Sequence, residues 1–381
     1  MEESGFIQVD CVAKGGFVVL ICDLRDTLWL DISGVNSLLF MGSSSDNVLY
    51  VIYIVNLHSP VSLEVTEKAL VCHLQEVMGW EKFFQETPEP VNFKDKCISL
   101  EQFCQFHKSR ERQLVLVTSG GTTVPLERNT VRFVDNFSSG TRGAATTEYF
   151  IALGYAVIFL NREKSVQPFE RHLNTESLFG SITEDSDGNL CITGPNSQKI
   201  KSVYNQYKET KTKNLLLKIT FLSLPEYLWL LRAASQTLNT HAPESLAVLA
   251  AAVSDFFIPQ DDMTEHKIQS GGGPLSVTLQ IVPKMLKPLV SIWGTNLYIV
   301  SFKLETDPNQ LQKKAREALE RYKHHLVVGN LLPTIRVCVT FVTRESEEDV
   351  KLTEENRQNG VEIEKLIVEK IHSLYKTYLK H

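Results

Sequence analysis

The sequence lacks several features that would place it in other classes of protein. It has seven cysteines among 381 residues, an odd number without a Cys-x-x-Cys pair, which argues against a disulfide framework or a structural zinc site. Its formal net charge is −6, whereas nonspecific nucleic-acid binding needs a basic surface. The apolar run at 48–57 is too short to span a bilayer, and the acidic start lacks the basic segment of a secretory signal. We therefore expect a cytoplasmic protein without nucleic-acid partners, membrane partners or metal-ligating residues.

Residues 1–75 differ in pattern from the rest of the chain. Short apolar runs alternate there with Gly/Ser/Asn/Asp clusters, and no chemical motif is present. Two interpretations stay open, a small β-rich appendage and a poorly ordered extension, and we favour the extension. A helical pattern follows at 65–84. With 43% hydrophobic and 22% charged residues overall, we expect residues 76–381 to form one soluble domain.

Strand and helix patterns alternate after residue 112. The predicted strands are 112–118, 155–160, 215–220, 246–251, 297–302, 326–328 and 337–342, and the predicted helices are 141–153, 225–238, 283–290, 309–322 and 360–379. Ser99 and Gln102 have the spacing of a capping box and predict an earlier helix that begins at Ser99. Residues 167–213 read as a polar, irregular excursion. This order predicts an α/β fold, a doubly wound, mostly parallel Rossmann-like sheet with helices on both faces.

The connection between the strand at 112–118 and the next helix is rich in glycine and serine. Gly120 follows the strand directly, while Gly140 and Gly143 open the helix. Small residues let backbone N–H groups approach a phosphate, and a helix N terminus favours its negative charge. Ser138 adds a hydroxyl donor. A plain tight turn would have the same composition, and neither a Walker lysine motif nor Gly-x-Gly-x-x-Gly follows the strand.

Five segments in sequence order resemble the signature of the phosphopantothenoylcysteine synthetase family, in its monofunctional eukaryotic form. These segments are 117–127, 131–144, 249–257, 265–271 and 299–307. The resemblance covers the chain from about residue 75 to its end. It implies a phosphopantothenate–cysteine ligase, which joins 4′-phosphopantothenate to cysteine through an acyl-nucleotide in the second step of coenzyme A biosynthesis. The resemblance further implies ATP rather than CTP as co-substrate, Mg²⁺, and a homodimer.

The resemblance also assigns catalytic and substrate-binding residues. It implies that Asn136 binds the substrate carbonyl and handles the acyl-nucleotide, and that Arg132 contacts phosphopantothenate. Lys267 matches a lysine that contacts the nucleotide phosphates. Ala251 and Ala252 are expected to bind the substrate, because small residues permit close backbone approach. Taken alone, Asn136 is a turn residue, Arg132 and Lys267 are surface charges, and the two alanines are core residues.

Seven further positions are expected to bind the nucleotide. Asp255 follows an Ala-rich strand end, where open α/β sheets place ligand-binding residues, although a helix N-cap would look the same. Phe302 and Asn330 lie at the ends of two later strands and are expected to line the nucleotide pocket. Gly120, Ser138, Gly140 and Gly143 complete this set.

An NAD(P)-dependent oxidoreductase is the alternative function. Tyr204 and Lys208 form the Tyr-x-x-x-Lys pair of short-chain dehydrogenases. The pair lies in the polar excursion, however, and the glycine pattern after the first strand does not fit a dinucleotide-binding loop. We therefore expect the ligase.

Overall fold

The computed structural model describes residues 79–241, 245–270 and 273–380, together with the backbone of four N-terminal strands. The chain divides into two compact units, residues 1–78 and 79–381, which are described separately. The N-terminal strands are β1 (Asp10–Lys14), β2 (Phe17–Leu24), β3 (Ser37–Gly42) and β4 (Leu49–Asn56). They pair in an antiparallel sheet of order β1-β2-β4-β3, the arrangement of the β-rich interpretation. Of the predicted helix at 65–84, residues 65–78 lie outside the described residues.

The second unit contains the strands and helices that build the main domain. Its strands are β5 (Leu114–Ser119), β6 (Thr123–Pro125), β7 (Phe133–Asp135), β8 (Ala156–Arg162), β9 (Ile182–Glu184), β10 (Leu190–Ile192), β11 (Leu216–Phe221), β12 (Ser245–Leu249), β13 (Phe256–Phe257), β14 (Gln280–Ile281), β15 (Tyr298–Glu305), β16 (Leu326–Leu331), β17 (Cys338–Val342) and β18 (Glu347–Lys351). Its helices are α1 (79–86), α2 (Phe93–Lys108), α3 (Thr141–Ala152), α4 (Thr175–Phe179), α5 (Ser197–Thr212), α6 (Leu224–Asn239), α7 (Leu286–Pro288), α8 (Pro308–Tyr322), α9 (Glu354–Gln358) and α10 (Ile363–Tyr378).

Eight strands form the central sheet in the order β11-β8-β5-β12-β15-β16-β17-β18. The first six run parallel, and β17 and β18 add an antiparallel edge. The predicted doubly wound, mostly parallel Rossmann-like sheet is therefore confirmed. Chain order reverses direction at β5 and β12, where such folds form a crevice at the carboxyl ends of the strands.

Both faces of the sheet are covered, because alternate side chains of each central strand enter different cores. In β5, Leu114 and Leu116 pack in one cluster with α2 and α6, while Val115 and Val117 pack in a second with α3 and α10. All six residues of β5 are buried, as expected for a parallel strand between two helical layers. This rigid strand carries the candidate site at its carboxyl end.

Two predictions about local structure are wrong. Helix α2 begins at Phe93, and Ser99 lies inside it, where its hydroxyl donates to the Asp95 carbonyl at 2.9 Å instead of capping the first turn. The stretch 167–213 is not irregular, since it contains α4, the β9–β10 hairpin and the 16-residue α5. Helix α5 buries only three of its residues, so its sequence has little apolar periodicity from which a helix could be predicted.

Candidate active site

The loop after β5 folds back tightly against the strand end. Gly120 has φ +84°, and a Cβ there would lie 2.6 Å from the Arg162 Cβ. A Cβ on Gly121 would lie only 1.7 Å from the backbone oxygen of Asn136, whose N–H donates to the Thr122 carbonyl at 3.2 Å. These contacts require glycine. They hold the predicted catalytic asparagine against the carboxyl end of the central strand, with its half-buried side chain free of hydrogen bonds to any residue that the structure describes.

Helix α3 begins at the same place with an uncapped N terminus. Its N-cap residue is Gly140, with φ +85° and no side-chain hydrogen bond. The Ser119 hydroxyl donates to the Gly140 carbonyl at 3.0 Å, and a Cβ on Gly143 would lie 2.4 Å from that hydroxyl oxygen. Ser138 is half-buried beside this turn. The geometry therefore presents first-turn N–H groups and a favourable helix dipole to an anion.

Ala251 and Ala252 pair with the glycine loop through the backbone. The Ala252 N–H donates to the Gly120 carbonyl at 2.8 Å, and its carbonyl accepts from the Thr122 N–H at 3.0 Å. The Ala251 N–H donates to the Thr118 hydroxyl at 3.0 Å. These bonds bring the segment after β12 alongside the loop that carries Asn136. The structure therefore brings the predicted alanines and the predicted glycine loop together.

A cavity of about 350 Å³ opens beside these segments, and Ala251, Asp255 and Phe302 line it. Asp255 is mostly exposed and lies 3.3 Å from the Lys284 ammonium, and because strand β13 follows it, it is not the helix N-cap of the alternative interpretation. The Phe302 ring has the Arg142 guanidinium 5.7 Å from its centroid. A polar loop and a half-buried ring on neighbouring parallel strands suit the recognition of a planar, charged ligand.

Asn330 lies near the end of β16 and is buried, with 3% of its surface exposed. Its Nδ2 donates to the Val328 carbonyl at 3.2 Å. Its Oδ1 has no hydrogen-bond partner among the described residues. An unpaired buried acceptor costs about 1–3 kcal/mol, so a ligand that donated to this oxygen would recover that cost. Asn330 is not part of the cavity lining given above.

Lys267 and Arg132 lie on two segments that pair with each other. The Arg128 and Asn129 N–H groups donate to the carbonyls of Thr264 and Glu265 at 2.9 and 3.0 Å. The Lys267 side chain is exposed. The Arg132 Nη1 donates to the Glu127 carboxylate at 2.9 Å and to the Ile268 carbonyl at 3.2 Å. Arg132 is thus an anchored cation rather than a free surface arginine.

The sequence did not predict the contact between two charged residues, Arg142 of α3 and Glu364 of α10. Arg142, in the first turn of α3, donates to the Ile335 carbonyl and lies 3.4 Å from the Glu364 carboxylate. Burial lowers the pKa of Arg142 and raises the pKa of Glu364. This pair attaches the N-terminal end of α3 to the start of α10. The two residues are more than 200 positions apart, so no local pattern could have predicted their contact.

A second ion network supports the second half of α3. The Arg171 side chain is 8% exposed and donates to the carboxylates of Glu148 and Glu362 at 2.6–3.0 Å. The Tyr149 hydroxyl donates to Glu362 at 3.1 Å. Hydrogen bonds from Arg171 lower the pKa of Glu362 despite its partial burial. The network joins α3, the loop after β8 and α10 into one support for the glycine turn.

The alternative dehydrogenase pair does not form a site. Tyr204 and Lys208 are both exposed on α5, and neither lines the cavity that contains Phe302. Within the described residues, no group of three or more His, Cys, Asp or Glu side chains could hold a metal ion. None of the helices in the described part of the chain is long and apolar enough to cross a membrane.

Comparison with known proteins identifies the family to which this chain belongs. The model of the DNA/pantothenate metabolism flavoprotein C-terminal domain matches residues 110–176 and 231–369. The phosphopantothenate–cysteine ligase of Homo sapiens is 41% identical over 299 residues, covering 77% of this chain and 96% of the human protein. The ligase CAB2 of Saccharomyces cerevisiae is 40% identical, with 79% and 87% covered. The chain therefore belongs to the phosphopantothenate–cysteine ligase family, as the resemblance predicted.

A solved structure extends the similarity to the fold. A Cab2 mutant in complex with phosphopantothenate-cysteine superposes with a TM-score of 0.72 at 38% identity, covering 79% of this chain and 99% of that chain. The Rossmann-like architecture and the assignment as a ligase of coenzyme A biosynthesis are thereby confirmed. The roles of individual residues and the choice of nucleotide stay predictions.

Proposed function

We propose that the protein ligates cysteine to 4′-phosphopantothenate with ATP, through an acyl-adenylate, giving phosphopantothenoylcysteine, AMP and pyrophosphate. The main support for this proposal is the position of Asn136. Asn136 is pressed against the carboxyl end of β5 by contacts that only Gly121 permits, next to the uncapped N terminus of α3. An acyl-activating enzyme needs the acid and the nucleotide phosphate at one point, and this loop offers a group for each.

The first step would be attack of the phosphopantothenate carboxylate on the ATP α-phosphorus, which forms the acyl–phosphate bond and releases pyrophosphate. Negative charge grows on the phosphate oxygens, so preorganised N–H donors and cations lower the barrier. In our proposal the turn formed by Gly120, Ser138, Gly140 and Gly143 supplies the donors, while Lys267 supplies a mobile cation. Arg132 would hold the anionic acid.

The second step would be attack of the cysteine amine on the activated carbonyl. A carbon–nitrogen bond forms, the carbonyl–phosphate bond breaks, and AMP leaves while the amine loses a proton. The Asn136 amide can both donate and accept hydrogen bonds, so it suits the polarised carbonyl and the acyl-nucleotide. Ala251 and Ala252 leave room for the substrate beside it.

The nucleotide itself would occupy the crevice at the ends of β12, β15 and β16. In our proposal Phe302 would contact the base, and the unpaired Oδ1 of Asn330 would accept a hydrogen bond from an exocyclic amino group. Asp255 is the acidic residue in the described cavity lining and would face the ribose or a nucleotide-bound cation. ATP rather than CTP follows from the family resemblance.

Mg²⁺ is part of this proposal as a partner of the nucleotide. Mg²⁺ usually keeps several waters and binds through substrate phosphates with one or two carboxylates, rather than in a cage of protein ligands. In that mode Asp255, which lines the cavity, would contribute a carboxylate. The ion would neutralise the leaving pyrophosphate.

We also propose a cytoplasmic homodimer. The loop of β6 and β7 exposes four large apolar side chains, Val131, Phe133, Val134 and Phe137, the last 95% exposed. Large apolar side chains exposed within one short loop favour an interaction surface. A second copy of the chain is the partner that the family resemblance implies.

Pyrophosphate release in the presence of phosphopantothenate, cysteine and either ATP or CTP tests the function. We expect release with ATP. We expect Asn136→Asp to reduce kcat about 100-fold with little change in the KM for ATP, because one missing donor at a charged transition state costs about that factor. Lys267→Gln should instead raise the KM for ATP. Release with neither nucleotide would defeat the proposal, and wild-type kinetics in either variant would remove the role assigned to that residue.

A further inference from the structure

We propose that Glu127 is a positioning residue for the ligation: its buried carboxylate fixes Arg132 and the segment of Lys267 in one arrangement. The inference rests on the proposed function, in which those two cations hold the acid and the nucleotide phosphates. Glu127 itself is fully buried and would act through these neighbours rather than on the substrate.

The Glu127 carboxylate is saturated by donors from two separate segments. Its Oε2 accepts from the N–H groups of Val131 and Arg132 at 3.1 and 2.9 Å. Its Oε1 accepts from the Arg132 Nη1 at 2.9 Å and from the Ile268 N–H at 3.4 Å. The Arg132 N–H and these further bonds hold the pKa of Glu127 at about 2 against the effect of burial, so the carboxylate is ionised throughout the physiological range.

Backbone pairing extends the same connection. Glu127 forms an isolated parallel bridge with Thr264, and Lys267 directly precedes Ile268, which bonds to both Glu127 and Arg132. A change at Glu127 therefore releases both segments at once. The exposed Asp261 on the same segment, 3.7 Å from Arg128, has no comparable connection.

The arrangement leaves one edge of the arginine available. Nη1 is committed to Glu127 and the Ile268 carbonyl, whereas Nε and Nη2 make no hydrogen bond within the described part of the chain. The side chain is 39% exposed. A guanidinium held by one corner presents its other edge for a bidentate contact with a carboxylate or phosphate. Without Glu127, the side chain would have to be ordered by the substrate itself.

The test measures kcat and KM for phosphopantothenate and ATP in Glu127→Gln, Arg132→Ala, the double variant and the control Asp261→Asn, all in the full chain. We expect Glu127→Gln to lower kcat/KM for phosphopantothenate about tenfold or more, and Asp261→Asn to stay within about twofold of wild type. In kcat/KM for phosphopantothenate the double variant should be within about twofold of Arg132→Ala, because Glu127 acts on that substrate through Arg132, and any further loss should fall on the KM for ATP through the segment of Lys267. Wild-type kinetics in Glu127→Gln, or fully additive losses, would overturn the inference.

Amide hydrogen exchange separates this inference from the proposed function. Glu127→Gln should speed exchange at Val131, Arg132 and Ile268 even if the wild-type chain released no pyrophosphate, and unchanged exchange there would overturn the inference alone. Should Glu127→Gln fail to fold, Glu127→Asp keeps the charge on a shorter side chain. That variant should lose part of the kcat/KM for phosphopantothenate, and wild-type values would overturn the inference.

Discussion

At the scale of single residues, the site depends on positions where one additional carbon has no room. Gly121 is the tightest of these positions, because the Asn136 carbonyl occupies the space that a Cβ on Gly121 would need. Gly154 is a useful contrast. It has φ +90°, but an added Cβ there would meet nothing within 4 Å.

We expect Gly121→Ala to reduce kcat about 100-fold, since a displacement of about 1 Å at a reacting group costs that much. Gly154→Ala is the control: it strains the backbone by about 1–2 kcal/mol and should lower thermal stability without reducing kcat. Steady-state kinetics and thermal unfolding of both variants are the measurements. Equal kcat in wild type and Gly121→Ala would contradict the role given to this contact.

The sequence predicts this residue-scale geometry only in part. Gly120, Gly140 and Gly143 stand out because glycines between a strand and a helix are typical of phosphate-binding turns, although a plain tight turn has the same composition. Glu127 does not stand out, although it lies within the recognised signature, because its donors at Arg132 and Ile268 come from segments that meet only in the folded chain. A buried carboxylate and an exposed one look the same in a sequence.

At the scale of elements, neighbouring strands of the sheet are connected by buried histidines. His324 lies just before β16 in the chain. Its Nε2 is 2.8 Å from the hydroxyl of Ser301 in β15. Burial, with the nearby His325 and Arg344, lowers the pKa of His324 to about 4. The unfolded pKa is about 6.5, so the neutral ring contributes stability above pH 6.5 that is lost as the pH falls toward 4.

From this group alone, we expect the free energy of unfolding to be roughly 2 kcal/mol smaller at pH 5 than at pH 7. His324→Asn should remove that part of the pH dependence. His266→Asn, which replaces an exposed ring, should keep it. Urea denaturation at both pH values provides the comparison, and an unchanged pH dependence in His324→Asn would show that the histidine titrates normally in the folded protein.

Elements with a clear apolar pattern could be predicted from the sequence, and elements without one could not. Six parallel strands follow from short β-branched runs such as the one at β5, because burial on both faces leaves no polar alternation. The polar α5 and the antiparallel β18 lack such patterns, since each exposes most of its residues. The Arg171 network was equally unpredictable, because Glu362 lies 191 residues further along the chain.

At the scale of the whole molecule, the proposed homodimer would form through the exposed apolar loop of β6 and β7. We expect the wild-type chain to have twice the monomer mass of 43.1 kDa in solution. Val134→Asp should shift it toward the monomer, because a charge in an apolar interface must be desolvated. Leu190→Asp, at a position 74% exposed on β10, is the control and should stay dimeric. A monomeric wild type by light scattering would contradict the proposed homodimer.

In the proposed mechanism, one strand-to-helix connection holds both the acid and the nucleotide for acyl-adenylate formation. Mass spectrometry of a reaction containing phosphopantothenate, cysteine and ATP tests it most directly. We expect phosphopantothenoylcysteine and AMP to form in equal amounts. Neither product should form when phosphopantothenate is omitted. Release of ADP and phosphate in place of AMP and pyrophosphate, or no condensation product, would contradict the proposed mechanism.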